Sequence, residues 1–250
     1  LGIDMKKTFK HKKLLITLIT ILSIFVIIFG AFGIYVSIYY HAKEEAKQSL
    51  FSDEYVTVTK NKNYYTFENG KSNVGLIFYP GAKVEYISYA PLMRELAKSG
   101  VFCALVHMPL NFAFFDIDAA KGIKDKYEGI DTWYLGGHSL GGAMASSYIE
   151  SHADDYSGLL LLGSYSSSNL SETNLNVISI YGSNDRVLNL DKYQKSKKNY
   201  PSNFNELIII GGCHSYFADY GHQKGDGKAN ISREEQIKIT CRYFVEKVKI

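Results

Sequence analysis

Cysteine is scarce. Cys103, Cys213 and Cys241 are the only three in 250 residues, far apart and without a C-x-x-C spacing. An odd, low count of this kind argues against a disulfide framework and against a structural zinc site. Cys103 lies in an apolar run and reads as a buried, inert thiol; a Cys103–Cys213 bridge would need a geometry that sequence cannot supply. Internal repeats and low-complexity stretches are missing too. A basic face is also lacking. The formal charge is +3, but Lys6, Lys7, Lys10, Lys12 and Lys13 stand against Asp4 in the first thirteen residues, a balance of +4 that leaves −1 for the rest. The basic excess is terminal, which excludes a nucleic-acid-binding surface across the folded domain.

The longest absence is of charge. From Leu14 to Tyr40, 27 residues pass without one charged side chain, and about 20 suffice to cross the hydrocarbon core as a helix. Tyr35, Tyr39 and Tyr40 gather at its far end, where amphipathic rings favour the water interface. The five lysines ahead of it predict a cytoplasmic N-terminus and a following domain outside the cell membrane, in a single-pass topology. A cleaved signal peptide is the competing reading, through the small pair Ala31 and Gly33. Its apolar region normally ends after about 7–15 residues, and this run continues. The organisation predicted is a basic tail (1–13), a transmembrane helix (14–40), a charged juxtamembrane linker (41–52) and one domain (53–250). About 200 residues suit a single α/β core.

Within that domain, strand and helix patterns alternate. Two short strands, Glu54–Thr59 and Tyr64–Glu68, open it as a hairpin around a polar turn. Val74–Tyr79 (VGLIFY) is apolar throughout, as strands buried on both faces of a parallel sheet are. Helix is predicted for Tyr89–Ser99, closed by Gly100. Strand then follows at Val101–His107, helix at Asp116–Tyr127, strand at Thr132–Leu135 and helix at Gly141–His152. Strands at Leu159–Leu162 and Val177–Tyr181 precede a helix at Leu190–Lys198, a strand at Leu207–Ile210 and a closing helix at Ser232–Val248. Ser232 and Glu235 stand in the spacing of a capping box. Such alternation predicts βαβ units, and hence an α/β fold with a mainly parallel sheet flanked by helices.

The chemistry is carried by Gly137-His138-Ser139-Leu140-Gly141, a G-x-S-x-G motif set between an apolar strand end and a helix start, the context it requires. The junction lifts the Ser139 hydroxyl above the sheet, with the helix N-terminus behind it. A serine needs a base, and the base an orienting carboxylate. In the order Ser, acid, His, the candidates just past strand ends are Asp185 and His214. Asp154, Asp155 and Asp191 read as solvated, Asp219 follows His214 too closely, and His138 is expected to point away from the nucleophile. The oxyanion hole is expected from the amide of Leu140 and from the loop after Val74–Tyr79. There Pro80 cannot donate and Gly81 lets the backbone approach closely. Ala82 is the chosen donor, with Lys83 as the alternative.

The segments GHSLGGAMA, FYPGAKV, YGSND and GGCHSYFADYG together resemble bacterial α/β-hydrolases of the α/β-hydrolase fold-5 family. The similarity runs from about Val74 to the C-terminus and takes in Met108–Asn111 and Gly225-Asp226-Gly227. It implies hydrolase activity with Ser139, Asp185 and His214 in the three catalytic roles, and it supplies no substrate. Dienelactone hydrolases are similar in compact build but use a cysteine nucleophile.

Between Leu162 and Val177 lies only a short Ser/Asn-rich stretch, too short for a cap domain, so an open site is predicted. Gly81, Lys83, Phe115 and Tyr216 are expected to meet substrate, with Phe112, Phe114 and Phe217 as further walls, and Lys83 hints at an anionic one. The predicted activity is cleavage of a small ester through an acyl-enzyme, without metal or organic cofactor. An acyltransferase or a non-catalytic binding module on the same fold are the alternatives. Oligomeric state is not legible.

Overall fold

The computed structural model describes residues 2–70 and 72–249, with side chains described from Lys12 onward. The chain divides into two compact units, one ending at Ile38 and one spanning Tyr39–Ile250.

The first unit is a single helix, α1 (Gly2–Ser37). Its Lys12–Ser37 stretch has a mean hydropathy of 2.8 and none of it is buried against protein, so it is long and apolar enough to cross a membrane. The few polar side chains are satisfied internally. The hydroxyls of Thr17, Thr20 and Ser23 donate to the carbonyls of Lys13, Ile16 and Ile19 at 3.0, 2.9 and 2.9 Å. Back-bonding of this kind removes the need for water at those hydroxyls.

The second unit is built on an eight-stranded sheet. The strands are β1 (Thr57–Lys60), β2 (Tyr64–Glu68), β3 (Val74–Tyr79), β4 (Val101–Val106), β5 (Thr132–His138), β6 (Gly158–Leu162), β7 (Asn176–Gly182) and β8 (Phe204–Ile209). Their order is β1-β2-β4-β3-β5-β6-β7-β8. The opening hairpin is antiparallel and β2 runs antiparallel to β4, while every pairing from β4 onward is parallel.

Both faces are covered, which is why the central strands read as unbroken apolar runs. Alternate residues divide between two cores: Leu76, Phe78, Cys103, Leu105, Leu160, Leu162, Ile178 and Ile180 point to one. Ile77, Tyr79, Phe102, Ala104, Leu159, Leu161 and Val177 point to the other. Helices α3 (Ala90–Lys98) and α6 (Arg233–Val248) close the first face. Helix α4 (Leu140–Glu150) closes the second. Ser232 caps α6 by accepting from the Glu235 amide at 3.1 Å.

Two segments differ from the sequence prediction. No α-helix forms over 116–127; the chain makes 3₁₀ turns at Ile117–Ala120 and Lys124–Lys126. The buried Tyr79 hydroxyl donates to the Ile117 carbonyl at 2.7 Å and accepts from the Ala120 amide at 2.8 Å. These are backbone groups that a helix would pair with itself. Gly122, at φ 68°, breaks the segment further.

The second difference is that residues 41–52 are docked rather than free. Helix α2 (Glu44–Gln48) buries Ala46, whose amide donates to the buried Asp219 carboxylate at 3.0 Å. Arg233 pairs with the same carboxylate at 2.6 Å and also with Glu45. Asp219 therefore ties this segment to α6. Without Asp219 the buried Ala46 amide loses its acceptor, while Arg233 keeps Glu45. Asp219→Ala is therefore expected to lower the unfolding free energy by about 2 kcal/mol, measured by urea denaturation of the full chain in detergent.

Candidate active site

The strand order places β5 between β3 and β6, and the candidate nucleophile sits at the carboxyl end of β5. Ser139 has φ 53° and ψ −123°, a conformation that a non-glycine residue holds only under tertiary constraint. The constraint is visible on both sides of the residue. Its amide donates to the Leu162 carbonyl at 2.9 Å, and its own carbonyl accepts from the Ser164 hydroxyl at 2.6 Å. Gly137 and Gly141 make room for the bend. A Cβ on Gly137 would stand 2.5 Å from the Gly141 backbone, and one on Gly141 would run into the carbonyls of Tyr79 and Pro80.

Beyond β7 and β8, Asp185 and His214 meet. Oδ2 of Asp185 lies 2.8 Å from Nδ1 of His214, both side chains being buried. The other oxygen, Oδ1, accepts from the amides of Val187 and Leu188 at 2.8 Å each. A carboxylate only accepts, so Nδ1 carries a proton, and in the neutral imidazole this leaves the lone pair on Nε2. Among the described residues Nε2 has no hydrogen-bond partner. Ser139 and His214 line one cleft of about 400 Å³, together with Leu140, Ala143, residues Gly163–Tyr165, Ser167 and Val187–Asn189.

Donors for a developing oxyanion can be sorted by elimination. The Gly81 amide is taken by the Tyr89 hydroxyl at 3.0 Å, and the Lys83 amide by the Asn111 carbonyl at 2.8 Å. Pro80 has no N–H. Among the described residues the amides of Ala82 and Leu140 have no acceptor.

The substrate-contact expectations fare differently. Gly81, Lys83, Phe115 and Tyr216 do not line the cleft that Ser139 and His214 share. Phe112 and Phe217 are buried in the packing of the domain, Phe217 against the His138 ring at 5.6 Å. The walls come instead from the short loop after β6 and the turn after Asp185.

Three residues escaped sequence reasoning. Asp226 organises the histidine loop: Oδ1 accepts from the His214 and Gly227 amides at 3.1 and 2.8 Å. Its Oδ2 accepts from the amide and hydroxyl of Ser215, both at 2.8 Å. Half-burial works to raise its pKa, but the donors from Ser215 and His214 outweigh this and hold it below 3.8. Its place inside Gly225-Asp226-Gly227 was the available signal. Gly163, at φ 50°, passes under the Asp–His pair; a Cβ there would stand 2.9 Å from Nδ1 of His214 and 3.1 Å from Asp185 Oδ2.

The third is His138. It does not simply turn away from the site. The period-two alternation of β5 sends it to the face of Tyr134, and there its ring packs 4.4 Å from the His214 ring. Its Nδ1 lies 2.7 Å from the Tyr89 hydroxyl. Burial, and then the proximity of His214, hold its pKa well below 6.5. No group of three or more His, Cys, Asp or Glu side chains is placed to hold a metal ion among the described residues.

A family model described as the alpha/beta hydrolase family matches residues 75–238. A search of curated proteins by sequence finds no match. Among solved structures, the fold is similar to MGS-MChE2, an alpha/beta hydrolase enzyme from the metagenome of sediments of the Mar Chica lagoon, Morocco. That likeness has a TM-score of 0.58 at 13% identity, over 78% of this chain and 100% of that one. It is also similar to Est1E from Butyrivibrio proteoclasticus (TM-score 0.53, 13% identity, 79% and 100% covered). A predicted CIB-like hydrolase from Thermoplasma acidophilum gives 0.52 at 14% identity, with 76% and 97% covered. At these identities the likeness is one of fold.

The buried, neutral His138 has a consequence for stability. The unfolded chain takes up a proton there as pH falls through 6.5, whereas the folded chain does not until well below it. Its contribution to stability is thus complete above 6.5 and is lost as pH falls. Urea midpoints measured between about pH 7 and pH 5 should decline, and His138→Gln should flatten that decline by up to about 1.4 kcal/mol per pH unit.

Proposed function

Because the chain belongs to the alpha/beta hydrolase family, we propose that it is a serine hydrolase that cleaves carboxylic esters through an acyl-enzyme on Ser139. The observation that carries this reading is the unpartnered Nε2 of His214 in the wall of the cleft that Ser139 also lines, with Asp185 bonded behind it. In the first half-reaction the Ser139 hydroxyl attacks the ester carbonyl carbon while His214 Nε2 takes its proton. Asp185 stabilises the imidazolium, and the Ala82 and Leu140 amides donate hydrogen bonds to the tetrahedral oxyanion. Collapse breaks the C–O bond, and His214 returns the proton to the departing alkoxide. A water then repeats the sequence on the acyl-enzyme, releasing the acid and free Ser139. The chemistry requires neither metal nor organic cofactor.

The cleft supports a compact substrate. Its walls are Ser164, Tyr165, Ser167, Val187, Leu188 and Asn189, with no cap over them. A short acyl group fits a cleft of about 400 Å³ whose lining includes Leu140, Ala143, Val187 and Leu188, and its open mouth suits a leaving group that projects into solvent. The helix Lys12–Ser37 serves in this reading as a membrane anchor, with the preceding lysines cytoplasmic and the catalytic domain on the outer side.

The test is covalent labelling by a fluorophosphonate, which reacts only with an activated serine. The wild-type chain should label, and Ser139→Ala and His214→Ala should not. On a chromogenic ester, Ser139→Ala should reduce kcat by about a million-fold and Asp185→Asn by about ten-thousand-fold. A folded wild-type chain that never labels would remove the catalytic reading.

A further inference from the structure

The oxyanion loop, Gly81–Val84, is bound on one side to the segment that follows α1 and on the other to an exposed apolar loop. Tyr40 pairs with it as a parallel bridge to Val84. The Tyr40 amide donates to the Lys83 carbonyl at 2.7 Å, and the Glu85 amide donates to the Tyr40 carbonyl at 2.9 Å. The Lys83 amide in turn donates to the Asn111 carbonyl at 2.8 Å. One residue, Lys83, thus joins the chain's exit from α1 to the loop 109–115, immediately after the Ala82 amide that faces the oxyanion.

The same exit segment also holds the histidine side of the site. The Tyr40 hydroxyl accepts from the Lys224 amide at 3.0 Å, and its ring lies 5.3 Å from that of Tyr220. The Lys43 amide donates to the Asp219 carbonyl at 2.9 Å. Both loops that flank the nucleophile are therefore fastened to residues 40–43.

Only Ile38 and Tyr39 lie between Ser37, the last residue of α1, and Tyr40. Three such steps span at most about 11 Å by chain geometry alone. The 26 residues from Lys12 to Ser37 amount to about 39 Å of helix against a hydrocarbon core of about 30 Å. With α1 across a bilayer, a helix overhang of about 9 Å and three chain steps of about 11 Å keep Tyr40, and the loop fastened to it, within about 20 Å of the hydrocarbon edge.

The loop 109–115 has the chemistry for that position. Leu110, Phe114 and Phe115 are 49, 44 and 43% exposed, and the rings of Phe114 and Phe115 pack together at 4.2 Å. Leu110 and Asn111 are consecutive non-glycine residues at positive φ, 54° and 59°. That strained turn carries Leu110 outward, where in water it gains nothing from exposure.

We propose that Leu110, Phe114 and Phe115 seat on the bilayer surface, so that the ester drawn into the site is one held in the membrane, an acyl group on a lipid-anchored or amphiphilic leaving group. The occupant of the apolar rim is lipid, by continuity with the anchor. The substrate part rests on the serine-hydrolase reading above; the bilayer contact does not.

The experiment uses the full chain reconstituted into phosphatidylcholine vesicles. Trp133 is the only tryptophan and is buried, so Phe114→Trp adds a reporter at the rim. Its added emission should be quenched at least twofold when brominated-chain phosphatidylcholine replaces the unbrominated lipid, with Trp133 in the parent chain unaffected. Absence of quenching, as for a rim in water or against a second copy of the chain, overturns the proposal whether or not Ser139 is reactive. So does failure of the chain to co-float with vesicles. A triple change, Leu110→Ser, Phe114→Ser and Phe115→Ser, should lower hydrolysis of a vesicle-embedded long-chain ester at least tenfold and leave a water-soluble acetate ester unchanged. Equal loss on both, or on neither, refutes the substrate assignment. Quenching without hydrolysis or fluorophosphonate labelling would leave the bilayer contact standing and refute the membrane-ester assignment together with the serine-hydrolase reading.

Discussion

The left-handed backbone of Ser139 is the constraint on which the site depends. A residue at φ 53° and ψ −123° costs about 1–3 kcal/mol, and it persists because its neighbours leave no alternative. The end of β6 accepts its amide and Ser164 donates to its carbonyl. Two flanking glycines allow strand and helix to close to contact. Because β5 lies between β3 and β6, one neighbour supplies the Gly81–Val84 loop and the other the clamp and a cleft wall. The arrangement of strands thus decides which loops surround Ser139.

Around that bend the polar groups are matched with little redundancy. Asp185 divides its two oxygens between His214 and the Val187 and Leu188 amides. Asp226 holds the backbone at His214 and Ser215. His138 lies against the His214 ring in neutral form, so it brings no positive charge against that ring. The Tyr89 hydroxyl links His138 to the Gly81 amide, which connects the His214 side of the cleft to the loop after β3. Lys83 then connects that loop to residues 40 and 111.

How much of this was legible follows from how local each signal is. The apolar runs at Val74–Tyr79 and Val101–Val106 are strands because both faces of the sheet are covered, and a six-residue window records that. That Asp185 meets His214 beside a cleft lined by Ser139 was readable because motif, chain order and strand ends are all sequence properties. The helix expected at 116–127 failed because Tyr79, some forty residues away, captures two of its backbone groups. Phe112 and Phe217 pack into the core, which composition does not distinguish from a place in a pocket. Gly163 and His138 act through residues distant in sequence, and neither carried a local pattern that pointed to His214. The docking of residues 41–52 was hidden for the same reason: charged, helix-permissive composition describes a linker and a clamped helix equally well.

The central claim is that the acyl group passes through Ser139. Rapid-quench peptide mass mapping after mixing the full chain with an activated acetate ester tests this directly. The account predicts one acetyl group, on the peptide that contains Ser139, appearing in a burst equal to the enzyme concentration and absent in His214→Ala. An acetyl group carried by another residue, such as Ser164, or turnover of the ester with no covalent acyl-enzyme, would contradict it.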